Sequence, residues 1–397
     1  MKKSEKRIYM DHAAATYLDE KVKKAMEPYW IEKFGNPSAL HKEGREARQA
    51  LENARGEIAQ TIGARPEEII FTGGGTESDN LAVFGVARYA LKMMSGAENE
   101  KPPHIITTKF EHHAVLSPCE FLEKDGFAVT YLPVGEDGIV NPKDVENALR
   151  PETILVSVMY ANNEVGTIQP VAEIGKILKN HKALFHTDAC QAAGYLDLDV
   201  GKLGVDLMTL NGSKIYGPKG IGLLYAKRGV KLEPISRGGQ QERRMRPGTE
   251  NVPAIVGLAE ALKIAQEEKE KESKRVAELR NYFIKRILEE IQKTFLNGHP
   301  ETRLPNNVNI SILGVEGEAV VLYLDEYGIA CSTGSACTSE SFEPSHVILA
   351  LGKPRAYAHG SVRFSLGKRN TKKDIDYTVD TLKGVVEKLR SISAVSV

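Results

Sequence analysis

The sequence predicts an α/β protein: a mostly parallel sheet with helices on both faces, followed by a smaller α+β unit. Three observations lead there. Strand-like and helix-like segments alternate at 104–108, 114–124, 128–132, 141–149, 153–159, 171–179, 183–186, 207–210 and 222–226, the rhythm of βα units. Polar residues (His112, Asn162, Asp188, Gln191) fall just after strand-like runs, at the carboxyl ends where such sheets gather ligands. From about residue 252 to 296 the pattern becomes one long helical run with a charged middle at 267–275, and a helix with a solvated centre commonly bridges two domains.

Taken in order, Ile8 to Thr16 reads as a short strand and a small-residue loop, and Phe34-Gly35-Asn36-Pro37-Ser38 as a loop. A helix follows, with Ala47, Ala50, Leu51, Ala54, Ile58 and Ile62 at three-and-four spacing and Gly63 as its stop. Next, Ile69 to Thr72 is a buried-type strand that runs into Gly73-Gly74-Gly75 and then Thr76-Glu77-Ser78-Asp79-Asn80, the opening of another helix. Beyond the long helical run, 307–312, 319–324, 362–366 and a final helix near 373–392 complete the second unit.

Bulk composition excludes several classes of function. The 397 residues suggest two or three domains, and Lys+Arg and Asp+Glu balance at 53 each, which removes net charge as a reason to bind nucleic acid or an anionic membrane. Cys119, Cys190, Cys331 and Cys337 show no CxxC pairing, so neither a zinc site nor a disulfide framework is expected and a reducing compartment is. Residues 1–7 are charged and lead into 8–10 without the apolar stretch of a signal peptide, and no segment reaches a membrane span of roughly 18 apolar residues. A soluble, cytoplasmic protein is the expectation.

The residues that carry chemistry surround Lys214. It sits between the apolar run ending at Leu210 and the turn Gly217-Pro218, on backbone that no helix can continue through. Asp188 ends another apolar run 26 residues earlier, as 214 − 188 gives. A lysine and an aspartate at the ends of two neighbouring strands are the minimum equipment for pyridoxal phosphate, one as Schiff base and the other on the pyridinium nitrogen. The glycine turn at 73–75 exposes amides at a helix start, suited to a phosphate. His112, or the adjacent His113, is flat enough to stack on a ring and can move protons. Asn162 and Asn163 read either as cavity-lining amides or as a turn that bonds its own backbone. Arginines 237, 243, 244 and 246 form a run suited to anions, and Arg363 alternates with Val362 and Phe364 as either a salt-bridge partner or a carboxylate clamp. In the small, polar stretch 331–344, Cys331 looks structural and Cys337 presented.

These motifs together resemble the NifS/IscS-type cysteine desulfurases, class V pyridoxal-phosphate enzymes of fold-type I. The resemblance runs through Asp11 to Thr16, Gly35 to Ser38, Gly75 to Asn80, Glu111-His112, Asn162 to Gly166, Asp188 to Gln191, Lys214 to Gly220, Arg246 to Asn251 and Gly334 to Ser339, the last being similar to the group I branch. It implies a large cofactor domain (17–260) with a mostly parallel seven-stranded sheet, and a small domain (1–16 and 261–397) carrying a mobile cysteine loop at about 331–344. Position by position it implies Lys214 as the covalent anchor, Asp188 on the pyridinium nitrogen and His112 stacked on the ring and acting as base. Asn162 and Gln191 would meet the ring substituents. Gly75, Thr76, Asn211 and Ser213 would hold the phosphate, with Thr249 reaching it from the second subunit of a homodimer. Arg363, with Asn36, would hold the substrate carboxylate, and Cys337 would carry a persulfide. The family usually has serine at the place of Asn211 and histidine at that of Ser213; both residues here still donate to phosphate, with less positive charge.

The implied reaction turns L-cysteine into L-alanine and passes sulfur to a protein acceptor, an iron-sulfur scaffold or a tRNA-thiolation protein. A selenocysteine lyase or class V aminotransferase is the competing reading. It shares Lys214 and Asp188 and has no need of a travelling thiol.

Overall fold

In the computed structural model, which describes residues 7–94, 101–334 and 344–392, the predicted strands lie side by side. The strands are β1 (Ile8–Tyr9), β2 (Ile69–Thr72), β3 (His104–Thr108), β4 (Ala128–Leu132), β5 (Thr153–Ser157), β6 (Leu184–Asp188), β7 (Leu207–Asn211), β8 (Gly222–Ala226), β9 (Thr294–Leu296), β10 (Asn307–Ile312), β11 (Ile329–Ala330) and β12 (Ser361–Ser365). Seven of them form one sheet in the order β2-β8-β7-β6-β5-β3-β4. Only β8 runs against its neighbours; the other pairings are parallel. The α/β fold and seven-stranded sheet are therefore as expected. Because β2, β3, β5, β6 and β7 share one direction, the chain leaves each of them along a single rim.

Alternation along these strands feeds two apolar layers. Ile69, Phe71, Ile106 and Val156 face one layer, where Ile58 of the helix Lys42–Thr61 and Ile62, its C-cap, are fully buried. Ile70, Ile105, Leu155 and Leu224 face the other, beneath Leu81, Val83 and Val86 of the helix Gly75–Met93. Each such side chain contributes roughly 1.5–3 kcal/mol of burial, so the strand ends are set by packing long before any ligand arrives. The helix Lys42–Thr61 ends two residues before Gly63, whose φ of +70° suits glycine.

A second core gathers around the antiparallel sheet β12-β10-β9 and the short parallel pair β1-β11. The helix Val252–Glu290 serves both cores. Asn251 caps it by accepting from the Ala254 amide, Ile255, Leu258 and Leu262 enter the first core, and Val276, Phe283 and Ile287 enter the second. The expected run to 296 is corrected here. The helix stops at Glu290, Lys293 adopts a left-handed φ of 56°, and Thr294–Leu296 pair with β10 instead. Among the described residues, no helix is long and apolar enough to cross a membrane.

Candidate active site

The shared rim opens into a cavity of about 360 Å³ whose walls include Gly75, Thr76, His112, Asp188, Gln191, Asn211, Lys214 and Arg363. Each arrives by a short route from its strand. β6 ends on Asp188, which is buried, with Oδ1 accepting the Cys190 amide at 2.9 Å. β7 ends on Asn211, and a single tight turn, Gly212–Lys214, delivers the lysine. Within that turn the Asn211 Oδ1 accepts from the Ser213 amide and hydroxyl, both at 3.1 Å. The Lys214 Nζ donates to the Ala14 carbonyl at 2.5 Å. Two residues on, Tyr216 takes a left-handed φ of 61°, a conformation that costs about 1–3 kcal/mol in a bulky residue. Its amide donates to the Thr16 Oγ1 and its hydroxyl accepts from the Lys368 amide, which holds the backbone after Lys214 in this bend.

His112 precedes the helix His113–Lys124 as its N-cap, its Nδ1 accepting from the Ala114 amide at 3.0 Å. With Nδ1 so engaged, the neutral ring carries its hydrogen on Nε2. That tautomer is suited to stacking and to donating, and it is a poor acceptor of a thiol's proton. Burial pulls the imidazole below its ordinary value, with Asp188 opposing the shift and Lys214 adding to it. His113 instead meets His346, ring centroids 4.6 Å apart, so the choice between the two histidines falls to His112 as the cavity residue.

Asn162 and Asn163 divide the two readings of their loop. Asn162 is fully buried; its Oδ1 accepts from the amides of Glu164 and Val165, and its Nδ2 donates to the Phe110 carbonyl. Asn163 is the one on the cavity wall. Gln191 lines the wall while its Nε2 donates to the Ala13 carbonyl at 2.9 Å. Asn36 and Thr249 are exposed and line no part of this cavity. Cys337 lies outside the described residues.

Several residues at the site were not read from the sequence. Asp79, one helical turn after Gly75, forms part of the same wall and is almost fully buried. The spacing of four from Gly75 was the available signal. Burial drives its carboxyl well above the ordinary carboxylate range, and Asp188 adds to the shift. Its Oδ1 stands 3.6 Å from the Nε2 of His186, which burial lowers to about 4 and which also meets the hydroxyls of Ser157 and Thr209. Cys190 was read only as part of a motif. A Cβ on Gly75 would lie 2.9 Å from its Sγ, so the glycine is required there by packing as much as by any ligand.

The opening beside the cavity, lined by Gly73, Gly74, Gly75, Thr76, Asn211 and Ser213, has the makings of an anion cradle. Gly74 caps the helix Gly75–Met93 with no side-chain hydrogen bond, so the first-turn amides and the helix dipole face outward.

Comparison with known proteins decides the lineage. The family described as "Aminotransferase class-V" matches residues 8–378. A cysteine desulfurase IscS of Dictyoglomus turgidum is 52% identical over 97% of this chain and 96% of its own length, and one of Methanosarcina thermophila is 49% identical over 98% and 94%. The chain belongs to the class-V aminotransferase family, among its cysteine desulfurases. A solved NifS-like protein superposes with a TM-score of 0.89 at 37% identity, covering 96% of this chain and all of that one. A structure described as SspA in complex with cysteine superposes at 0.79 with 39% identity, over 90% and 98%. The resemblance read from the motifs is thus established at the level of family and fold. Class-V enzymes of this kind use pyridoxal phosphate. The residues here fit that group: an amine and a carboxylate face one cavity, a flat ring lies on its wall, and the start of the helix Gly75–Met93 opens beside it, with the Gly73 amide held by the Glu77 carboxylate at 2.6 Å and the Gly74 amide by the Thr72 hydroxyl at 3.4 Å.

Proposed function

We propose that the chain is a pyridoxal-phosphate-dependent cysteine desulfurase, which converts L-cysteine to L-alanine and retains the sulfur as a persulfide on Cys337. The observation that carries this reading is the meeting of Lys214, Asp188, His112, Gly75 and Arg363 on one cavity. The relatives named cysteine desulfurase IscS set the choice of reaction.

Lys214 is the residue that would bind the cofactor covalently, and Asp188 would hold its ring nitrogen charged. Gly75, Thr76, Asn211 and Ser213 would bind its phosphate, joined by Thr249 of a second copy in a homodimer. The exposure of Thr249 and the open flank at Gly73 to Thr76 support that part. When bound, the cofactor supplies an electron sink for bonds at the substrate's α-carbon. When not engaged by the cofactor, the Lys214 Nζ would be the base placed to move the α-proton. His112 would stack on the ring and hold a proton on Nε2. Gln191 would contact a ring substituent together with Asn163; Asn162 would shape their loop. Arg363 orients the substrate carboxylate, with Asn36 available only on rearrangement or from the second copy.

Sulfur transfer needs the Cys337 thiolate, and a thiol of ordinary pKa near 8.5 is only a few per cent ionised at neutral pH. The thiolate attacks the sulfur of cysteine: one S–S bond forms, the C–S bond breaks with its electron pair kept by the β-carbon, that carbon takes a proton, and the products are L-alanine and the persulfide. The residues bordering Cys337 on either side support its proximity. Gly334 lines the cavity against Glu164, and Ser345 Oγ donates to the Glu164 Oε2 at 2.6 Å. On this reading residues 17–260 act as the cofactor domain and the remainder as the small domain, supported by the two separate cores. The working site is the cytoplasm, and the acceptor is a protein of iron-sulfur assembly or tRNA thiolation.

The test supplies the purified protein with cofactor and L-cysteine and measures alanine, sulfide and keto acid. Cys337→Ala should retain the substrate-induced change in cofactor absorbance and release no sulfide. Keto-acid production would favour the aminotransferase reading, and undiminished sulfide from the variant would remove Cys337 from the mechanism.

A further inference from the structure

Arg363 is not waiting for a substrate with its charge unspent. β12 carries it in register with Asn309 of β10, and Asp11 reaches it because the chain after β1 forms a parallel bridge to Ser365, two residues further along β12. One terminal nitrogen of the guanidinium donates to the Asn163 carbonyl and the other to the Asp11 Oδ1, both at 2.9 Å. The Arg363 side chain is 4% exposed and that of Asp11 18%. A guanidinium has five N–H groups, and these contacts use two. Among the described residues, one hydrogen on each terminal nitrogen therefore remains for a ligand, and Arg363 borders the cavity. A substrate carboxylate arriving there must share the cation with a carboxylate that belongs to the protein.

We infer that Asp11 is a positioning residue, a built-in counter-ion that orients the Arg363 fork and weakens its hold on the α-carboxylate of substrate and product alike. This rests on the proposed reading of Arg363 as the carboxylate clamp. Two like charges on one guanidinium repel at short range in a site largely shielded from water. The same partner also keeps the planar fork from turning away, as bidentate recognition requires. Asp11 thereby sets a ceiling on affinity that favours release of alanine.

Asp11→Asn separates the two effects, since its Oδ1 can still accept from Arg363 while the charge is gone. With the cofactor-loaded protein, L-alanine binding is followed through cofactor absorbance and L-cysteine turnover through sulfide. The dissociation constant for L-alanine and the KM for L-cysteine should both fall about fivefold to tenfold, the scale of removing one like charge from a partly buried site, and kcat should not rise. Asp11→Ala, which also loses the acceptor, should bind both ligands more weakly than Asp11→Asn. An Asp11→Asn protein with unchanged or raised constants overturns the inference. If that variant does not fold, Asp11→Ser takes its place, and absence of a fall in KM overturns the inference equally. A parallel variant, Arg363→Gln, tests the underlying reading: it should weaken L-alanine and spare L-alaninamide. If it affects both alike, the clamp assignment fails and the role of Asp11 falls with it. If it discriminates while Asp11→Asn changes nothing, the clamp stands and only the counter-ion inference is lost.

Discussion

Replacing Glu111 with glutamine should change how the stability of the protein responds to pH. Glu111, next to His112 in the chain, is fully buried; its Oε1 accepts from the Thr108 hydroxyl at 3.0 Å and the Met159 amide at 2.9 Å, while its Oε2 is buried without a hydrogen-bond partner among the described residues. Burial raises its carboxyl from 4.5 to about 8. At pH 7 the folded protein then holds the proton roughly ten times in eleven, whereas the unfolded chain has released it. The sign follows from that difference. A raised folded value gives stability that is fully present below about 4.5 and is lost as pH rises through about 8. Between those limits this one group contributes a slope of about −1.4 kcal/mol per pH unit. Glutamine keeps the accepting oxygen in place and carries no charge at any pH. Urea midpoints for both proteins, taken from about pH 5.5 to about pH 7.5, should diverge by close to that slope, with the variant the more stable on the alkaline side. Parallel pH profiles would refute the reasoning, because they would mean that Glu111 ionises at no greater cost folded than unfolded.

Three further outcomes are expected. Gly75→Ala puts a methyl 2.9 Å from the Cys190 Sγ and should lower cofactor affinity by roughly tenfold, about 1.4 kcal/mol and within the usual cost of overpacking; Gly75→Ala/Cys190→Ala, measured by equilibrium dialysis, should recover most of it. Glu242→Gln breaks the buried pair in which both terminal nitrogens of Arg55 meet the Glu242 carboxylate at 2.6 and 3.0 Å. Leaving that cation with only the half-exposed Glu52, 3.2 Å from its Nε, should cost up to about 3–5 kcal/mol in urea unfolding, and an Arg55→Met/Glu242→Met double variant should lose much less. Lys214→Ala should remove both sulfide production and covalent retention of the cofactor after denaturation; retention would show that another amine is the anchor.

The rim was legible because burial dictates where strands end. Ile154 to Val156, Phe185 and Leu210 can only be interior, so Asp188 and Lys214 had to emerge together wherever the sheet lay. What escaped was decided by contacts distant in sequence or by single hydrogen bonds. Asp11 and Arg363 are 352 positions apart, and nothing local in either stretch signals their pairing. Asn162 and Asn163 have the same chemistry, and only the carbonyl of Phe110 and the amides of Glu164 and Val165 decide which one turns inward. The helix expected to reach 296 kept its apolar spacing through Ile291 and Leu296. Its end at Glu290 came from pairing with β10, a partner that periodicity cannot see. The tautomer of His112 depended likewise on one capping bond from Ala114, which engages Nδ1 and leaves the hydrogen of the neutral ring on Nε2.

The helix Val252–Glu290 enters both cores as one uninterrupted rod, and this has a mechanical result. The turn bearing Lys214 follows the sheet of the first core and Arg363 lies in the sheet of the second, yet both side chains border one cavity. A helix of 39 residues resists stretching far more than loops do, so it fixes how the two cores sit against each other. Among the described residues, the cavity where the two units meet is therefore braced by an element that contributes none of its lining.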